Sequence, residues 1–311
     1  MNRHVFGPVP SRRLGISLGI DIIPFKTCTL DCVYCECGRT TVLTGTRSSF
    51  VNPDLILAEV RKNLADLEKI DYLTFSGSGE PTLHSELGAI IRGLKKEHHF
   101  PVAVLTNGTL LFKPEVRAQL KAADLILPSL DAASEEVFRA VNQPHHDITL
   151  ADHLAGLRAL RRDFPGQIWL EVFIVKDVND HDQHIERLAE VIKSIAPDKV
   201  QLNALDRPPA VAGIEPPPMT TLESIRERWS TLPMEVEIIK RARYREDLPV
   251  YCINLENSLL NILRRRPLIM EDLIRMTSRP ALEIRKYLDI LENEGKIMPV
   301  ISGNKIFFKA R

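Results

Sequence analysis

The chain has 311 residues, of which 44% are hydrophobic and 26% charged, as expected for a globular protein with one large domain and a smaller one. Its 41 basic and 41 acidic residues give a formal net charge of zero, which argues against a general attraction to nucleic acid or membranes. The sequence shows neither a secretory signal nor an apolar run long enough to cross a bilayer, so we expect a cytoplasmic protein with reduced thiols.

The first segment, residues 6–15, is rich in glycine, proline and arginine and is predicted to be irregular backbone. Arg12 and Arg13 within it have three interpretations: contact with an anionic substrate, attachment to the main domain, or surface charge, which is the commonest case. Residues 17–24 follow as the first predicted strand.

Three cysteines come directly after this strand, in the spacing Cys28-x3-Cys32-x2-Cys35. Thiolates bind soft metals and iron–sulfur clusters, and three of them can hold three irons of a cubane cluster while the fourth stays open for chemistry. The alternatives are a structural zinc site or a plain structural cluster, although zinc usually takes four ligands in paired knuckles. Cys37 is interpreted as a spare thiol, and Cys252 has no clear histidine pair beside it. The odd number of cysteines also disfavours a secreted disulfide framework.

Strand-like and helix-like segments alternate along most of the chain. The predicted strands share short apolar runs and comprise residues 17–24, 72–76, 102–106, 125–130, 168–175 and 200–205. The predicted helices show apolar positions at helical spacing and comprise a segment from residue 52, residues 87–97, a segment around 116–120, and residues 134–141, 150–162 and 182–195. Thr220 and Glu223 are predicted to form a capping box that opens a further helix. Six strand–helix units predict a parallel sheet in a full or partial barrel.

The pattern changes near residue 250, which divides the chain into predicted domains 1–250 and 251–311. The second comprises three short helices, at 254–265, 269–276 and 279–294, and a hairpin at 295–308 that turns at 302–304. This arrangement resembles a winged helix-turn-helix. The third helix mixes basic and acidic residues and lacks the positive excess of a DNA-reading helix, so docking onto protein or RNA, or plain packing, are alternatives.

The cysteine spacing, with aromatic Tyr34 before the last cysteine, resembles the signature of the radical S-adenosylmethionine (SAM) superfamily. The resemblance implies that Cys28, Cys32 and Cys35 bind a [4Fe–4S] cluster whose open iron is chelated by the amino and carboxylate groups of SAM. It also implies an α/β fold with a partial (βα)6 TIM-like barrel, and reductive cleavage of SAM to a 5′-deoxyadenosyl radical. Residues 6–15 followed by Lys26-Thr27-Cys28 are similar to a group of bacterial and archaeal members of the superfamily.

Polar strand ends resemble the SAM-binding elements of the superfamily. The element after the second strand resembles the family's GGE motif, which implies contacts with the SAM ammonium, and it contains Gly77, Ser78, Gly79, Glu80 and Pro81. The ends of the third and fourth strands resemble the branch with the molybdenum-cofactor protein MoaA and the wybutosine enzyme. That likeness implies contacts with the SAM carboxylate and ribose for Thr106, Asn107, Ser129 and Asp131. Ordinary turn and N-cap chemistry is the alternative, above all for Asp131.

The residues and the resemblance together predict a radical SAM enzyme that abstracts hydrogen from a substrate such as an RNA base, a peptide or a small metabolite. Because the chain has no flavodoxin-like segment, an external electron donor of the flavodoxin or ferredoxin type is expected. One alternative is a tRNA-modifying enzyme whose C-terminal domain grips RNA. Another is an iron–sulfur redox sensor that regulates transcription, although the SAM-like elements have no task in a sensor.

Overall fold

A computed structural model of the protein describes residues 4–65, 67, 69–239, 255–277, 279 and 281–311. The predicted boundary at residues 250 and 251 and the thiol of Cys252 lie outside the described residues. The strands are β1 (Val5–Ser11), β2 (Gly15–Ile20), β3 (Thr27–Cys28), β4 (Val42–Leu43), β5 (Tyr72–Phe75), β6 (Val102–Thr106), β7 (Leu125–Pro128), β8 (Gln167–Ile174), β9 (Lys199–Ala204), β10 (Glu235–Ile238), β11 (Ile297–Ser302) and β12 (Lys305–Ala310). The helices are α1 (Pro53–Leu64), α2 (Leu87–Glu97), α3 (Pro114–Leu120), α4 (Glu135–Val141), α5 (Leu150–Asp163), α6 (Asp182–Ile195), α7 (Met219–Arg228), α8 (Leu255–Leu263), α9 (Met270–Thr277) and α10 (Ala281–Asn293).

Eight strands form one sheet in the order β1-β2-β5-β6-β7-β8-β9-β10. β1 runs antiparallel to β2, and each of the other neighbouring pairs is parallel. The prediction of an α/β fold with a parallel sheet is therefore confirmed. Since parallel strands end at the same edge of a sheet, the loops after β2, β5, β6, β7 and β8 meet there.

Three details of the sequence prediction were wrong or incomplete. Residues 6–15, predicted to be irregular, supply most of β1 and the turn into β2, because proline and glycine are tolerated in an edge strand. The turn is held by the Ser11 hydroxyl, which accepts hydrogen bonds from the backbone N–H groups of Arg13 and Leu14, both at 3.2 Å. The capping box at Thr220 is also wrong, since α7 begins at Met219 with Pro218 at the N-cap and no side-chain cap. β10 is a further parallel strand, paired with β9, that was not predicted from the sequence.

Two hydrophobic clusters account for the packing of the main elements. The larger one lies between the parallel sheet and the helices that connect its strands, and it buries residues such as Ile56, Leu73 and Ile90 completely. The second joins α8–α10 and the β11–β12 hairpin to the apolar side of β1, through Val9 and the partly buried Phe6. The hairpin turns at Gly303, whose φ of +56° favours glycine. No helix within the described ranges is both long and apolar enough to span a membrane.

Candidate active site

The cysteine loop lies between β2 and β5 and is held from two sides. On one side, the Asp31 and Val33 N–H groups donate to the carbonyls of Asn142 and Val141, at 3.1 and 2.9 Å. On the other, the Glu80 N–H donates to the Thr27 carbonyl at 3.1 Å, which joins the loop to the element after β5. Backbone bonds therefore fix the loop between the ends of β5 and α4.

Each of the three cysteine sulfurs accepts a hydrogen bond from one side-chain N–H group. Lys26 Nζ lies 3.1 Å from the Cys35 Sγ, whereas Asn107 Nδ2 lies 3.5 Å from Cys28 Sγ. The third donor is Asn142 Nδ2, 3.5 Å from Cys32 Sγ and 110 residues further along the chain. Donors around sulfur stabilise the thiolate form that binds metal and influence the potential of an iron–sulfur cluster. The donor set therefore fits a thiolate-bound cluster.

The spacing of the sulfurs does not fit a single metal ion. One ion with Zn–S bonds of about 2.3 Å holds its sulfur ligands within roughly 4 Å of one another. Among the described residues, only His145, His146 and Asp147 bring three possible ligand atoms within 4.8 Å of one another. The three cysteine sulfurs do not form such a group, so at least one pair of them is more than 4.8 Å apart. Wider spacing suits a cluster, whose irons separate the sulfurs.

The protonation of the thiols differs along the loop. Burial, with the negative charge of Glu80, raises the pKa of Cys28 to about 12. Burial, with Asp131, likewise raises the pKa of Cys32. Interaction with the neighbouring Cys37 and with the ammonium of Lys26 lowers the pKa of Cys35 despite its burial. The thiolate form is therefore favoured more at Cys35 than at Cys28 or Cys32, and metal binding releases the protons of the thiols that are still protonated.

Glu80 connects the ends of β5 and β6. Its Oε1 accepts hydrogen bonds from the Thr82 N–H and from the hydroxyls of Thr82 and Thr106, at 3.0, 2.6 and 2.6 Å. Its Oε2 accepts the Asn107 N–H at 2.7 Å. Asn107 in turn donates to Thr29 and to the sulfur of Cys28. This buried carboxylate thus fixes the donor that reaches the first cysteine.

Asp131 organises the opposite side of the cysteine loop. Its Oδ2 accepts the Tyr34 hydroxyl at 2.6 Å and Asn142 Nδ2 at 2.7 Å, and its Oδ1 accepts the Phe173 N–H at 2.9 Å. Tyr34 stacks on the Phe173 ring with the centroids 3.9 Å apart. Burial raises the pKa of Asp131 to about 6, although these hydrogen bonds oppose the shift. Ser134, not Asp131, caps α4 through a side-chain bond to Val137 N–H.

The glycine element after β5 packs closely against the end of β2. A Cβ added to Gly77 lies 2.1 Å from the carboxyl carbon of Asp21, and one on Gly79 lies 2.3 Å from the Thr27 carbonyl. Asp21 also accepts hydrogen bonds from the N–H and hydroxyl of Ser78, at 3.3 and 3.2 Å. Only glycine permits this approach of the two loops, which forms a narrow backbone cradle beside the cysteines.

A cavity of about 250 Å³ lies beside the cysteine loop and the glycine element. Cys37 follows the cysteines of the loop, Gly77 belongs to the glycine element, and both line the cavity. Its walls come from the turn after β1, the inner sides of β2, β5 and β6, the loop after β9, and the segment between α8 and α9. The charged side chains that line it are Arg12, Arg13, Glu36, Asp206, Arg207, Arg265, Arg266 and Asp272.

The sequence matches the Radical SAM superfamily over residues 22–189, a range that begins before the cysteine loop and includes the ends of β5, β6, β7 and β8. The chain belongs to the radical SAM superfamily. Members of this superfamily are enzymes that use a [4Fe–4S] cluster and SAM, so these are the cofactors of this protein. The open, mostly parallel sheet is consistent with the partial barrel of radical SAM enzymes.

Relatives of this radical SAM protein share different portions of its length. UPF0026 protein MJ1312 of Methanocaldococcus jannaschii is 33% identical over 305 residues, which cover 97% of this chain and 94% of the relative. GTPase Obg of Brachyspira hyodysenteriae is 43% identical over 200 residues, 64% of this chain, but this chain spans only 29% of that protein. The fold is similar to a radical SAM methyltransferase from Sphaerobacter thermophilus, with a TM-score of 0.59 and 17% identity over 73% of this chain and 67% of that chain.

The sequence predicted the cysteine loop and the polar strand ends of this site, but it did not predict the side chains that connect them. Tyr34, Gly77 to Pro81, Thr106, Asn107 and Asp131 all lie around the cysteine loop in the structure. Asn142 and Asp21 went unnoticed, since an isolated asparagine or aspartate carries no pattern that ties it to a distant cysteine. Arg13, most simply interpreted as surface charge, is half-buried and forms an ion pair with Glu171.

Proposed function

We propose that this enzyme holds the cluster through Cys28, Cys32 and Cys35, cleaves SAM reductively and abstracts hydrogen from a substrate. When bound, the cluster and SAM supply a one-electron reduction of the sulfonium that yields the 5′-deoxyadenosyl radical. The observation that carries the proposal is the separate N–H donor on each of the three sulfurs. A structural role for the cysteines gives no reason for donors from three different segments to converge on them.

The residues near the cysteine loop take two kinds of role in this proposal. We assign direct contact with SAM to Gly77, Gly79 and Pro81 of the cradle, where glycine exposes backbone polar groups to a ligand. Ser129 joins them, because its hydroxyl forms no hydrogen bond with any residue in the described part of the chain. Ser78 holds the cradle in place through its hydrogen bonds to Asp21.

Positioning roles are proposed for the buried residues whose polar atoms are already occupied. Glu80 holds Thr106 and Asn107 in place, and Asp131 holds Tyr34. The Tyr34 ring keeps one face against Phe173, so its remaining surface is the part available to the cofactor.

The reductant and the C-terminal elements complete the proposal. We infer an external donor of the flavodoxin or ferredoxin type and a cytoplasmic location, where such donors and reduced thiols occur. We also propose that α8–α10 and the β11–β12 hairpin form a winged-helix-like unit that closes one side of the cavity, since Arg265, Arg266 and Asp272 line it.

Anaerobic reconstitution of matched cysteine variants tests the proposed function. The wild-type protein should bind a full cluster and, with dithionite, convert SAM to 5′-deoxyadenosine and methionine. Cys32→Ala should lose both properties. Cys37→Ala, which removes a neighbouring thiol that is not a proposed ligand, should keep its iron content. A Cys32→Ala protein that still cleaves SAM, or a Cys37→Ala protein that loses its cluster, refutes the assignment of ligands.

A further inference from the structure

Three of the five arginines that line the cavity are already paired with a carboxylate. Arg13 pairs with Glu171, while Arg207 Nη1 lies 2.7 Å from a carboxylate oxygen of Glu36. The third pair joins Arg265 to Asp21, with 3.4 Å between Nε and Oδ2. These contacts neutralise three of the positive charges at the wall of the cavity.

Arg12 and Arg266 line the same cavity without such a partner. Within the described residues neither forms an ion pair with a carboxylate, and the side chain of Arg266 makes no hydrogen bond. The Arg12 guanidinium reaches only Asn203 Oδ1, at 3.5 Å. The nearby Asp272 has its own basic neighbour, Arg275, at 3.9 Å. Two guanidinium groups therefore face the cavity with most of their donors unused.

Burial and repulsion between neighbouring arginines both disfavour the charged forms of Arg12 and Arg266. Burial lowers the pKa of Arg266 to about 10, and repulsion from Arg207 and Arg12 adds to the effect, while Glu36 and Asp272 oppose it. Burial also lowers the pKa of Arg12, with repulsion from Arg207 and Arg13 opposed by Glu36 and Asp206. Both groups stay charged at neutral pH. Charge in a partly buried site is costly when no carboxylate is in direct contact with it, so an anion in the cavity gives these arginines a function.

We propose that Arg12 and Arg266 bind the phosphate group of a small-molecule substrate in this cavity. The inference rests on the proposed function and specifies its substrate class. A phosphate carries about 1.5 to 2 negative charges at neutral pH, which matches two unpaired arginines, whereas one carboxylate neutralises only one of them. The guanidinium fork also matches phosphate oxygens in a bidentate manner.

The size and place of the cavity agree with a small phosphorylated metabolite. At about 250 Å³ it lies below the usual range of roughly 300–1,000 Å³ for ligand pockets, so it accommodates a small molecule or its head group and no folded macromolecule. Cys37 and Gly77 line it, which places a bound molecule next to the cysteine loop and the SAM cradle.

Isothermal titration calorimetry tests the proposal. The full-length reconstituted protein is titrated separately with inorganic phosphate, pyrophosphate, malonate and SAM. Arg12→Gln and Arg266→Gln should each weaken phosphate and pyrophosphate binding by about 10- to 100-fold, because a charge-assisted hydrogen bond is lost. Arg12→Lys and Arg266→Lys keep the positive charge, so they should lose less phosphate and pyrophosphate affinity. These lysine variants replace a glutamine variant in the test if that variant does not fold. The matched controls are Arg61→Gln and Arg285→Gln, whose exposed side chains pair with Glu97 and Asp289.

The outcomes separate this inference from the proposed function. Equal phosphate affinity in the cavity variants and the controls overturns it, as does tighter binding of malonate than of pyrophosphate. A loss of SAM affinity that matches the loss of phosphate affinity also overturns it, because the arginines then serve the SAM carboxylate. The anion titrations need no SAM cleavage, so a wild-type protein that binds pyrophosphate without cleaving SAM counts against the proposed function alone.

Discussion

Lys26→Met tests whether the donors around the sulfurs tune the cluster. The Lys26 side chain is almost fully buried, at 3% exposure, and its Nζ donates to the Cys35 Sγ at 3.1 Å. Burial lowers the pKa of Lys26, but attraction to Cys35, the hydrogen bond to it and attraction to Cys37 and Cys28 raise it above its ordinary value. The ammonium is therefore charged at neutral pH and stabilises added negative charge on the sulfurs.

The size of the effect follows from this one hydrogen bond. A hydrogen bond to a charged group contributes about 1.5–3 kcal/mol. One electron corresponds to about 2.3 kcal/mol per 100 mV. Because the bond is also made in the oxidised cluster, its loss should lower the one-electron reduction potential by at most roughly 65–130 mV. The fall has this sign because the lysine favours the reduced, more negative cluster.

Redox titration of the reconstituted protein, followed by electron paramagnetic resonance, measures this potential. Lys62→Met is the matched control, since Lys62 is exposed on α1, and it should leave the potential unchanged. The reasoning is refuted by a Lys26→Met protein that has full iron content and the wild-type potential.

Two further predictions concern the SAM cradle and a buried histidine. Gly77→Ala places a Cβ 2.1 Å from the Asp21 carboxyl, so SAM affinity in equilibrium binding should fall by about 10- to 100-fold. Gly45→Ala meets only His145 Nδ1 at 3.9 Å, and an equal loss there would contradict the idea. Burial lowers the pKa of His153 to about 4, below about 6.5 in the unfolded chain, so its contribution to stability is present above pH 6.5 and lost as pH falls toward 4. His153→Leu should reduce this acid-induced loss by up to about 3 kcal/mol in urea titrations across that range, whereas the exposed His146→Gln should not.

The parts of the fold that the sequence predicted are those with strong local patterns. The helices Leu87–Glu97 and Asp182–Ile195 have the bounds that their apolar spacing indicated. β1 was missed because its prolines and glycine resemble a loop, and its pairing with β2 and the C-terminal cluster depends on contacts far along the chain. The same distinction between local patterns and long-range contacts applies to the candidate site. The cysteine spacing is a local signal. Asn142, in contrast, lies 110 residues from Cys32 in the sequence, so the cysteine motif does not predict their contact.

The C-terminal elements illustrate how position changes the interpretation of charge. Two of the basic residues on α10 and its flank form local ion pairs in the structure: Arg279 lies 3.9 Å from Glu283, and Arg285 lies 3.0 Å from Asp289. Paired charges release fewer counterions on contact with a phosphate backbone than unpaired charges do. Arg266, which forms no ion pair among the described residues, lines the cavity instead. Since Cys37 Sγ donates to the Arg265 carbonyl at 2.7 Å, the same segment also contacts the cysteine loop. The C-terminal elements therefore line a cavity beside the cysteine loop and contact the loop directly.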